Sequence, residues 1–516
     1  MADEFTHLNQ LADAALGTCC SWLKADARGG IRLVDPVEGR PVPSHYGDTH
    51  LAAALIILGE IRGDEDLTAL GIRLTETIVR EWHDTARCID FHNDFNNFAL
   101  CLIAESLRKT SPCLSEEIQS LVLSTPDSSH DTINWLPMRA YVNRTRWAWK
   151  QDRKYEYASK KAIDLVSKAI NDDGGIEDRL PRGRSYNLQY NVSSLAALQL
   201  FRSRWPSGGA RLAGTLDFLL DHVLPDGDIN YMGRGTNQIF AWGPWLYALA
   251  SAGEQNALAT ALKFLDGQYS KAARNRNIFL SDEPGDEKLF WWDYHFCSVY
   301  HAHFLLWTVL ALRDFCETGV GRLGSRDERS HTGLELKSGA AGGAAIFNGR
   351  SNYLAEAGPS VCAVWLHEKG VLFKGGLGPW QGSFGKRYSF ADTIFQNHFG
   401  LISQGSASAF REGRLAKRLL SDIFRDAKAV LRPVFAPISV SQSESALTIT
   451  WQTTGEAGYL NVPIPLERKD GIEVQFSVDE RSLDCVIVGT FRNQYGWNSV
   501  MRCHPAQGRR WQVTIR

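Results

Sequence analysis

Four stretches of the chain combine polar, aromatic and charged side chains that suit proton transfer or the binding of a carboxylate. They span residues 90–97, 173–191, 227–240 and 291–303. The first three lie at or directly before the start of a predicted helix. These four stretches therefore supply the candidate functional residues.

The first stretch reads Asp-Phe-His-Asn-Asp-Phe-Asn-Asn from residue 90. Asn and Asp are common caps at helix starts, so capping accounts for one or two of these residues. Capping does not account for the whole set of neighbouring imidazole and carboxamide groups. The candidate substrate-binding residues here are His92, Asn93 and Asn96, and Asn97 is a candidate catalytic residue.

The second stretch is a glycine-rich loop with three arginines that runs into a predicted helix near Tyr190. Positively charged neighbours favour a phenolate, so they lower the pKa of a tyrosine and make it a usable base. Tyr190 is therefore a candidate catalytic residue, and Arg184, Tyr186 and Asn191 are candidate substrate-binding residues around it. In the alternative interpretation, Tyr186 and Tyr190 pack beneath the loop and the arginines are solvated.

In the third stretch, Arg234 lies between two glycines directly before a predicted helix. Glycine lets a ligand approach the backbone closely, and Arg offers a planar pair of donors to a carboxylate. Arg234 is therefore a candidate catalytic residue, followed by Asn237 and Gln238 as substrate-binding candidates. A simple helix-entry turn is the alternative.

The fourth stretch places Trp292, Tyr294 and His295 at its polar start, where they are candidate substrate-binding residues. Further along, His301 and His303 are two positions apart and cannot share one helical face. The i, i+4 pair that binds a metal is therefore not available from them.

Composition limits the class of partner. The chain has 516 residues, enough for two domains, and its 56 Lys and Arg nearly balance 58 Asp and Glu. No strong global charge favours nucleic acid or an anionic membrane as the main partner. Aromatic residues make up 11% of the chain, including 16 Trp, and suit both sugar faces and an ordinary core.

The ten cysteines are scattered without a CxxC pair, so the sequence indicates no zinc site and predicts no metal ligand. The N-terminus lacks a secretory signal pattern, and no apolar run reaches the length that spans a membrane. These features predict a cytoplasmic protein. The oligomeric state stays open.

Apolar residues recur at helical spacing through the first three-fifths of the chain, with breaker groups between the blocks. Helices joined by short loops favour an α/α solenoid or toroid over residues 1–325. The predicted helical blocks are 8–23, 50–61, 67–82, 96–107, 155–170, 192–201, 211–223, 238–252, 256–265 and 300–315.

After residue 325 the composition changes. Residues 326–343 are rich in Gly, Ser and charge, which is typical of a linker. The remainder, 344–516, alternates short apolar segments with turns and predicts an antiparallel β-sandwich with one helix at 413–427. The predicted strands are 344–347, 353–357, 361–366, 371–373, 401–403, 429–434, 446–451, 472–476, 486–488 and 511–515.

This set of features resembles the polysaccharide lyases with an incomplete (α/α) toroid and a C-terminal antiparallel β-sandwich, the heparinase II/III-like and alginate-lyase-like group. Residues 173–175 and 189–191 resemble the loop and helix start that carry the catalytic tyrosine of that group, with Asn191 where it often has His. Asn96 and Asn97 resemble its carboxylate-binding element. His398 resembles the histidine on a β-strand that faces the toroid cleft.

The resemblance implies β-elimination on an acidic polysaccharide or oligosaccharide that contains uronic acid. Removing the proton next to a carboxylate requires that the carboxylate charge be neutralised, which Asn97 and Arg234 would do. Tyr190 would be the acid, or would serve in both proton-transfer steps, with the other partner open between His398 and His295. No cofactor is implied, although members of the group sometimes hold a structural zinc or calcium.

Two other functions stay open from the sequence. An (α/α)-toroid glycoside hydrolase needs two carboxylates across the scissile bond. A carbohydrate-binding protein would use the same cleft and its aromatic residues without any proton-transfer group. The carboxylates that keep a hydrolase open are Asp90, Asp94, Asp173, Asp178, Asp228 and Asp293.

Overall fold

The structure is a computed structural model, and all structural statements concern the residues that it describes. None of the described helices combines the length and apolar character needed to cross a membrane. The described residues are 2–43, 45–85, 92–180, 183–202, 209–232, 237–280, 296–317, 334–347, 360–377, 379–381, 438–443, 445–452, 455, 457–466, 471–493, 495–504 and 506–516.

The N-terminal part is helical. Ten of its helices match predicted blocks, whereas α5, α6 and α12 were not predicted. In chain order the helices are α1 Ala2–Ser21, α2 Gly47–Arg62, α3 Glu65–Thr85, α4 Asn93–Leu107, α5 Pro112–Ser124, α6 Leu136–Lys150, α7 Arg153–Ser167, α8 Leu188–Phe201, α9 Gly209–Leu220, α10 Trp242–Ala252, α11 Gln255–Leu265, α12 Gln268–Arg274 and α13 Cys297–Glu317.

Six of these helices form an inner ring. Helix α2 contacts α4, α4 contacts α6, α6 contacts α8, α8 contacts α10, α10 contacts α13, and α13 returns to α2. Each inner helix also packs on an outer one, in the pairs α2–α3, α4–α5, α6–α7, α8–α9, α10–α11 and α13–α1. The resemblance implied an incomplete toroid, but this cycle of contacts is closed.

The burial of α2 explains its place in the inner ring. Every residue from Gly47 to Gly59 is buried, so the helix has no solvent-facing side, as expected for a helix surrounded by protein. It ends at Gly63, whose φ of 64° is the left-handed conformation that stops a helix. The outer helices, by contrast, are buried along one face only, and α7 buries only Ser159, Ala162, Ile163 and Val166.

Strands account for the regular structure of the C-terminal part, and two short hairpins occur among the helices. In chain order the strands are β1 Leu23–Ala25, β2 Ile31–Leu33, β3 Glu177–Leu180, β4 Gly183–Tyr186, β5 Leu334–Ser338, β6 Gly342–Phe347, β7 Ser360–Leu366, β8 Gly370–Leu377, β9 Pro379–Gln381, β10 Ile438–Gln442, β11 Leu447–Gln452, β12 Ala457–Pro465, β13 Val474–Val478, β14 Arg481–Leu483, β15 Cys485–Asn493, β16 Gly496–Cys503, β17 Ala506–Gln507 and β18 Arg510–Ile515.

The C-terminal strands form antiparallel sheets, as the sequence predicted. One sheet has the order β5-β6-β7-β8, a second β10-β11-β18-β13-β14, and a third β15-β16-β12-β17, with β9 also paired to β12. Apolar residues of all three sheets share one core, which includes Val364, Trp451 and Val462. The predicted strands 353–357, 401–403 and 429–434 and the predicted helix 413–427 lie outside the described residues.

The two parts of the chain are packed against each other. Leu334, Cys362 and Trp365 of the first β-sheet belong to the same hydrophobic core as the helices. The imidazole Nε2 of His222 lies 3.0 Å from the backbone oxygen of Leu334. The segment predicted as a linker, 326–343, therefore contains strand β5 and the start of β6. Leu334, the first residue of β5, is buried against the helical ring. The predicted boundary at 325 lies outside the described residues.

Candidate functional site

One end of the inner ring carries the candidate site. Inner helices alternate along the chain with their outer partners, so the six inner helices run in the same direction and their first turns meet at one end. Aromatic contacts confirm this meeting, because the rings of His92 and Trp135 lie 6.4 Å apart and those of Phe95 and Phe240 lie 6.5 Å apart. The residues that begin α4, α6 and α10 thus surround one space.

Aromatic and imidazole rings line the outer part of this end. The ring of His45 lies 4.3 Å from that of His92 and 4.4 Å from that of Phe296. Tyr46 lies 5.5 Å from His92 and stacks on Phe95 at 4.4 Å. Flat apolar rings with polar edges suit the faces and hydroxyls of a sugar. Of these residues, only His92 was a candidate from the sequence.

A buried pair of histidines lies deeper. His50 of α2 and His303 of α13 stack at 5.1 Å, and their Nδ1 atoms lie 3.2 Å apart. Phe240 stacks on the other side of His303 at 4.3 Å. Burial lowers the pKa of His50 to about 3 and that of His303 well below its ordinary value. Both imidazoles are therefore neutral.

Three carboxamides at the same end have no partner. Asn97 lies in the first turns of α4, Gln189 begins α8, and Gln238 directly precedes the short 3₁₀ helix Ile239–Ala241. All three are fully buried, and within the described part of the chain neither amide atom of any of them has a hydrogen-bond partner. Buried polar groups are normally paired, so unpaired ones mark a place for a ligand or water.

Asn93 and Asn96, in contrast, stabilise the start of α4. The amide of Asn93 donates to the backbone oxygen of Pro126 at 3.0 Å. Asn96 accepts from the Thr49 hydroxyl at 2.9 Å and donates to the backbone oxygen of His92 at 3.2 Å. These two candidates are bound to protein groups rather than presented to a ligand.

A carboxyl group with a raised pKa lies in the first turn of α4. Arg139 of α6 donates to Oδ2 of Asp94 from Nε at 3.1 Å and from Nη2 at 3.0 Å, and its Nη1 donates to Asp131 at 2.5 Å. Burial raises the pKa of Asp94 to about 6, against the opposing effect of the Arg139 charge. Asp131, by contrast, has a side chain that is 61% exposed.

The loop before α8 is held in place by Asn191. The side-chain oxygen of Asn191 accepts from the backbone N–H of Ile176 at 2.6 Å, and its amide donates to the backbone oxygens of Ile176 and Asn187. Tyr190 is buried beside it, 5% exposed. Asn191 thus acts as a support for the loop, and the structure places Tyr190 in the ring interior.

Asn237 and the remaining candidates have different positions. Asn237 has a φ of 57° and donates to the backbone oxygen of Leu280 at 3.1 Å, so it shapes the turn before the 3₁₀ helix. Arg184 and Tyr186 lie on β4. Outside the described residues lie Arg234, His398, Trp292, Tyr294 and His295, together with Asp90 and Asp293.

Two further carboxylates of the sequence-based set serve the fold. Asp173 accepts from the backbone N–H of Gly175 at 3.1 Å and so caps a turn. Asp228 accepts from Lys374 of β8 at 2.6 Å. Asp178 lies on β3. Within the described ranges, no group of three or more His, Cys, Asp and Glu could hold a metal ion.

Sequence reasoning missed several residues of this end. Tyr46 and His50 begin α2, and Phe240 and Arg139 lie within helical segments. One feature of the sequence could have identified His50, because it is a histidine at the start of a mostly apolar helix. His303 was considered only as a metal ligand, and its partner lies 253 positions away in the sequence.

No protein family matches the sequence, and no curated protein matches it. Similar solved structures include an inactive variant of an α-1,6-mannanase from a Salegentibacter species in complex with α-1,6-mannotriose. Its identity is 13% and its TM-score 0.45, over 59% of this chain and 99% of that one. Unsaturated glucuronyl hydrolase from Streptococcus agalactiae has 10% identity and a TM-score of 0.42, over 62% of this chain and 93% of that one.

A glycosyl hydrolase of family 88 from Bacteroides vulgatus has 13% identity and a TM-score of 0.38, over 53% of this chain and 93% of that one. All three are hydrolases, whereas the short sequence motifs implied a lyase. On this finding the expected lyase activity by β-elimination is wrong. With TM-scores below 0.5 the similarity carries no argument about substrate or catalytic residues, which rest on the chain's own side chains.

Proposed function

We propose that the protein is a glycoside hydrolase that acts on an oligosaccharide bound at the N-terminal end of the inner helices. The observation that carries this proposal is the carboxyl of Asp94, whose pKa is raised to about 6 in the first turn of α4. A general acid must hold its proton near neutral pH and yet give it up to the leaving oxygen. An ordinary Asp is already ionised there.

The second carboxylate of the proposed pair is Asp131. It binds the same guanidinium as Asp94 but is largely exposed, so the two carboxyls have opposite environments. Such a difference assigns the buried group to the acid and the solvated group to the base or nucleophile. Arg139 binds Asp94, so in this proposal the substrate breaks the hydrogen bonds between Arg139 and Asp94. The guanidinium stays bound to Asp131.

The surroundings of the pair suit an oligosaccharide. The rings of Tyr46, His92 and Trp135 offer apolar faces, and the unpaired carboxamides of Asn97 and Gln238 offer donors and acceptors. Sugar sites combine these two kinds of group. The first substrates to test are those for which the similar structures are named, α-1,6-mannan oligosaccharides and unsaturated glucuronyl disaccharides.

A second candidate function is carbohydrate binding without turnover. It is favoured by the pairing of the buried carboxylates, since Asp94 is held by Arg139 and Asp228 by Lys374. A carboxylate fixed in an ion pair has lost part of its capacity to exchange a proton. Binding of an oligosaccharide without any release of reducing ends would support this candidate.

The test compares Asp94→Asn with Asp127→Asn. Arg146 lies on α6, as Arg139 does, and pairs with Asp127. The Asp127→Asn variant therefore also deprives a buried guanidinium of its carboxylate partner. We expect Asp94→Asn to lower kcat for release of reducing ends by about 100-fold or more, and Asp127→Asn to retain most of the activity. The wild-type rate should fall as pH rises above about 6.

Each result distinguishes the alternatives. Equal activity of the Asp94→Asn and wild-type enzymes would contradict the role of Asp94. The ultraviolet absorbance of an unsaturated product, in place of hydrolysis, would contradict the hydrolase itself. Circular dichroism of both variants checks that each is folded.

A further inference from the structure

The buried histidine pair has a defined arrangement of protons. The Nε2 atom of His50 lies 3.3 Å from the backbone oxygen of Phe95, and a carbonyl oxygen can only accept. His50 must therefore carry its proton on Nε2. Because this imidazole is neutral, its Nδ1 atom is an acceptor.

The proton between the two rings therefore belongs to His303. The two Nδ1 atoms lie 3.2 Å apart, and one of them must donate. Since Nδ1 of His50 accepts, Nδ1 of His303 donates. His303 is also neutral, so its Nε2 atom carries a lone pair, and this buried atom has no hydrogen-bond partner among the residues that the structure describes. The network thus ends in an unused acceptor.

The position of His303 gives this acceptor a place in the site. Its ring is stacked between those of His50 and Phe240, with Tyr46 at 5.8 Å and Phe95 at 6.2 Å. Phe240 follows Gln238 by two residues, and Asn97 follows Phe95 by two. Two of the unpaired carboxamides, those of Asn97 and Gln238, therefore lie two residues from rings that contact His303.

Among the residues that the structure describes, the groups that contact the ring of His303 are uncharged. Two neutral imidazoles, phenyl and phenol rings and carboxamides offer no cation to a carboxylate, and a carboxylate has no proton to give the lone pair of Nε2. A hydroxyl group can donate to that lone pair and can accept from a carboxamide N–H. The described surroundings of Nε2 therefore suit a hydroxyl of a neutral sugar better than the carboxylate of a uronate.

We propose that Nε2 of His303 accepts a hydrogen bond from a hydroxyl of a neutral sugar ring, which also binds the carboxamides of Asn97, Gln189 and Gln238. This inference rests on the proposed function, since it specifies the sugar bound at the same site. His303 is a substrate-binding residue in this proposal and takes no part in proton transfer to the leaving group.

The first experiment observes the protons directly. Long-range proton–nitrogen NMR spectra of the full chain labelled with ¹⁵N-histidine should show His303 protonated on Nδ1 and His50 on Nε2. Addition of α-1,6-mannotriose should shift the Nε2 resonance of His303. A His303 protonated on Nε2, or an Nε2 resonance unchanged in a complex with mannotriose, would overturn the proposal.

The second experiment measures affinity by calorimetry with mannotriose and, as the charged comparison, glucuronate. His303→Gln keeps an acceptor near the position of Nε2, whereas His303→Phe keeps only the ring. We expect His303→Phe to weaken mannotriose binding at least tenfold and His303→Gln to stay within about threefold of wild type. His301 lies on the same helix as His303, and His301→Phe breaks its buried contact with Tyr269 of α12, so this variant controls for destabilisation.

The outcomes separate the two proposals. Mannotriose binding that His303→Phe leaves unchanged overturns the inference, even if the enzyme hydrolyses oligosaccharides. Tighter binding of glucuronate than of mannotriose also overturns it. Binding that depends on His303 without any hydrolysis leaves this inference standing and contradicts the hydrolase.

Discussion

Nζ of Lys374 lies 2.6 Å from Oδ2 of Asp228, although the lysine belongs to a β-strand and the aspartate to a loop of the helical ring. A second carboxylate, Asp226, lies 2.8 Å from the same nitrogen, and the ring of Phe264 lies 5.1 Å away. Burial lowers the pKa of Lys374, but the two carboxylates outweigh it and raise the pKa. A buried, charged ammonium therefore ties the two parts together.

Removal of this ammonium should destabilise the chain strongly. Lys374→Met leaves two carboxylates without their cation, and breaking a buried ion pair on one side costs about 3–5 kcal/mol. We expect a decrease of that size in the free energy of unfolding in urea. Lys337→Met is the control, since Lys337 pairs with Glu335 at the surface, where such pairs contribute at most about 1 kcal/mol. Equal effects of the two substitutions would contradict the prediction.

The raised pKa of Asp94 predicts a particular pH dependence of stability. The folded chain keeps the Asp94 proton up to about pH 6, whereas the unfolded chain loses it near the ordinary value of 3.8. The stability that this proton contributes is therefore lost as pH rises through that window. The difference of 2.2 units corresponds to about 3 kcal/mol.

We expect the free energy of unfolding of the wild type, relative to Asp94→Asn, to decrease by about 3 kcal/mol between roughly pH 4 and pH 6.5. Urea unfolding of both proteins across this range measures the difference. An increase of the difference with pH would indicate that the Arg139 charge outweighs burial.

Three buried histidines should make the chain sensitive to acid. Burial lowers the pKa of His50 to about 3, that of His301 to about 4 and that of His303 well below its usual range. Their unfolded forms take up protons below about pH 6.5, so stability is lost as pH falls below that value. Each group contributes a loss of about 1.4 kcal/mol per pH unit.

Replacing one of these histidines should therefore reduce the slope of stability against pH. For His301→Gln we expect a slope about 1.4 kcal/mol per unit smaller between pH 6.5 and pH 5, as measured by urea unfolding. The value at pH 7 gives the separate cost of lost packing. A slope equal to that of the wild type would show that His301 is protonated in the folded chain.

Gly174 should not tolerate a side chain. Its φ is 90°, and a Cβ there would meet the backbone carbonyl of Gly214. Gly174→Ala should lower the melting temperature by more than Gly63→Ala, because Gly63 also has a positive φ of 64° but open space around it. The Gly63 change costs about 1 kcal/mol from conformation alone. Equal melting temperatures for the two variants would contradict the packing argument.

Helical periodicity predicted most of the ring because apolar faces repeat along each helix. The predicted block 67–82 lies within α3, and 300–315 lies within α13. Helix α6 escaped prediction because Arg139 and Arg146 interrupt its apolar pattern. Both are buried in the structure, where Asp94 and Asp127 pair with them. A pattern of residue types cannot show that a charged side chain is buried beside its partner.

In the C-terminal part of the chain, the pattern of residue types also predicts some strands and misses others. The predicted strand 361–366 matches β7 because its apolar residues are continuous, and β15 extends beyond the predicted 486–488. Strand β5 was missed because its sequence, Leu-Glu-Leu-Lys-Ser, is mostly polar. Leu334 is its one buried residue, and its backbone oxygen lies 3.0 Å from Nε2 of His222, which follows α9 more than a hundred residues earlier in the chain.

Polar residues at the starts of α4 and α8 and at Gln238 lie at the end of the ring to which we assign the candidate site. The roles of individual residues depend on contacts between distant parts of the sequence. Asn191, compared from the sequence with a family histidine, supports Ile176 instead, and the histidine pair joins residues 50 and 303.

The pairing of α1 with α13 has a consequence for biosynthesis. Helix α1 precedes its partner α13, the last inner helix of the ring, which ends at Glu317, by most of the helical part of the chain. Leu8 and Ala12 of α1 are fully buried in the folded ring. Their packing against α13 requires that α13 has already been translated. During synthesis the apolar face of α1 is therefore without its final partner for longer than that of α2, whose outer partner α3 follows directly in the sequence.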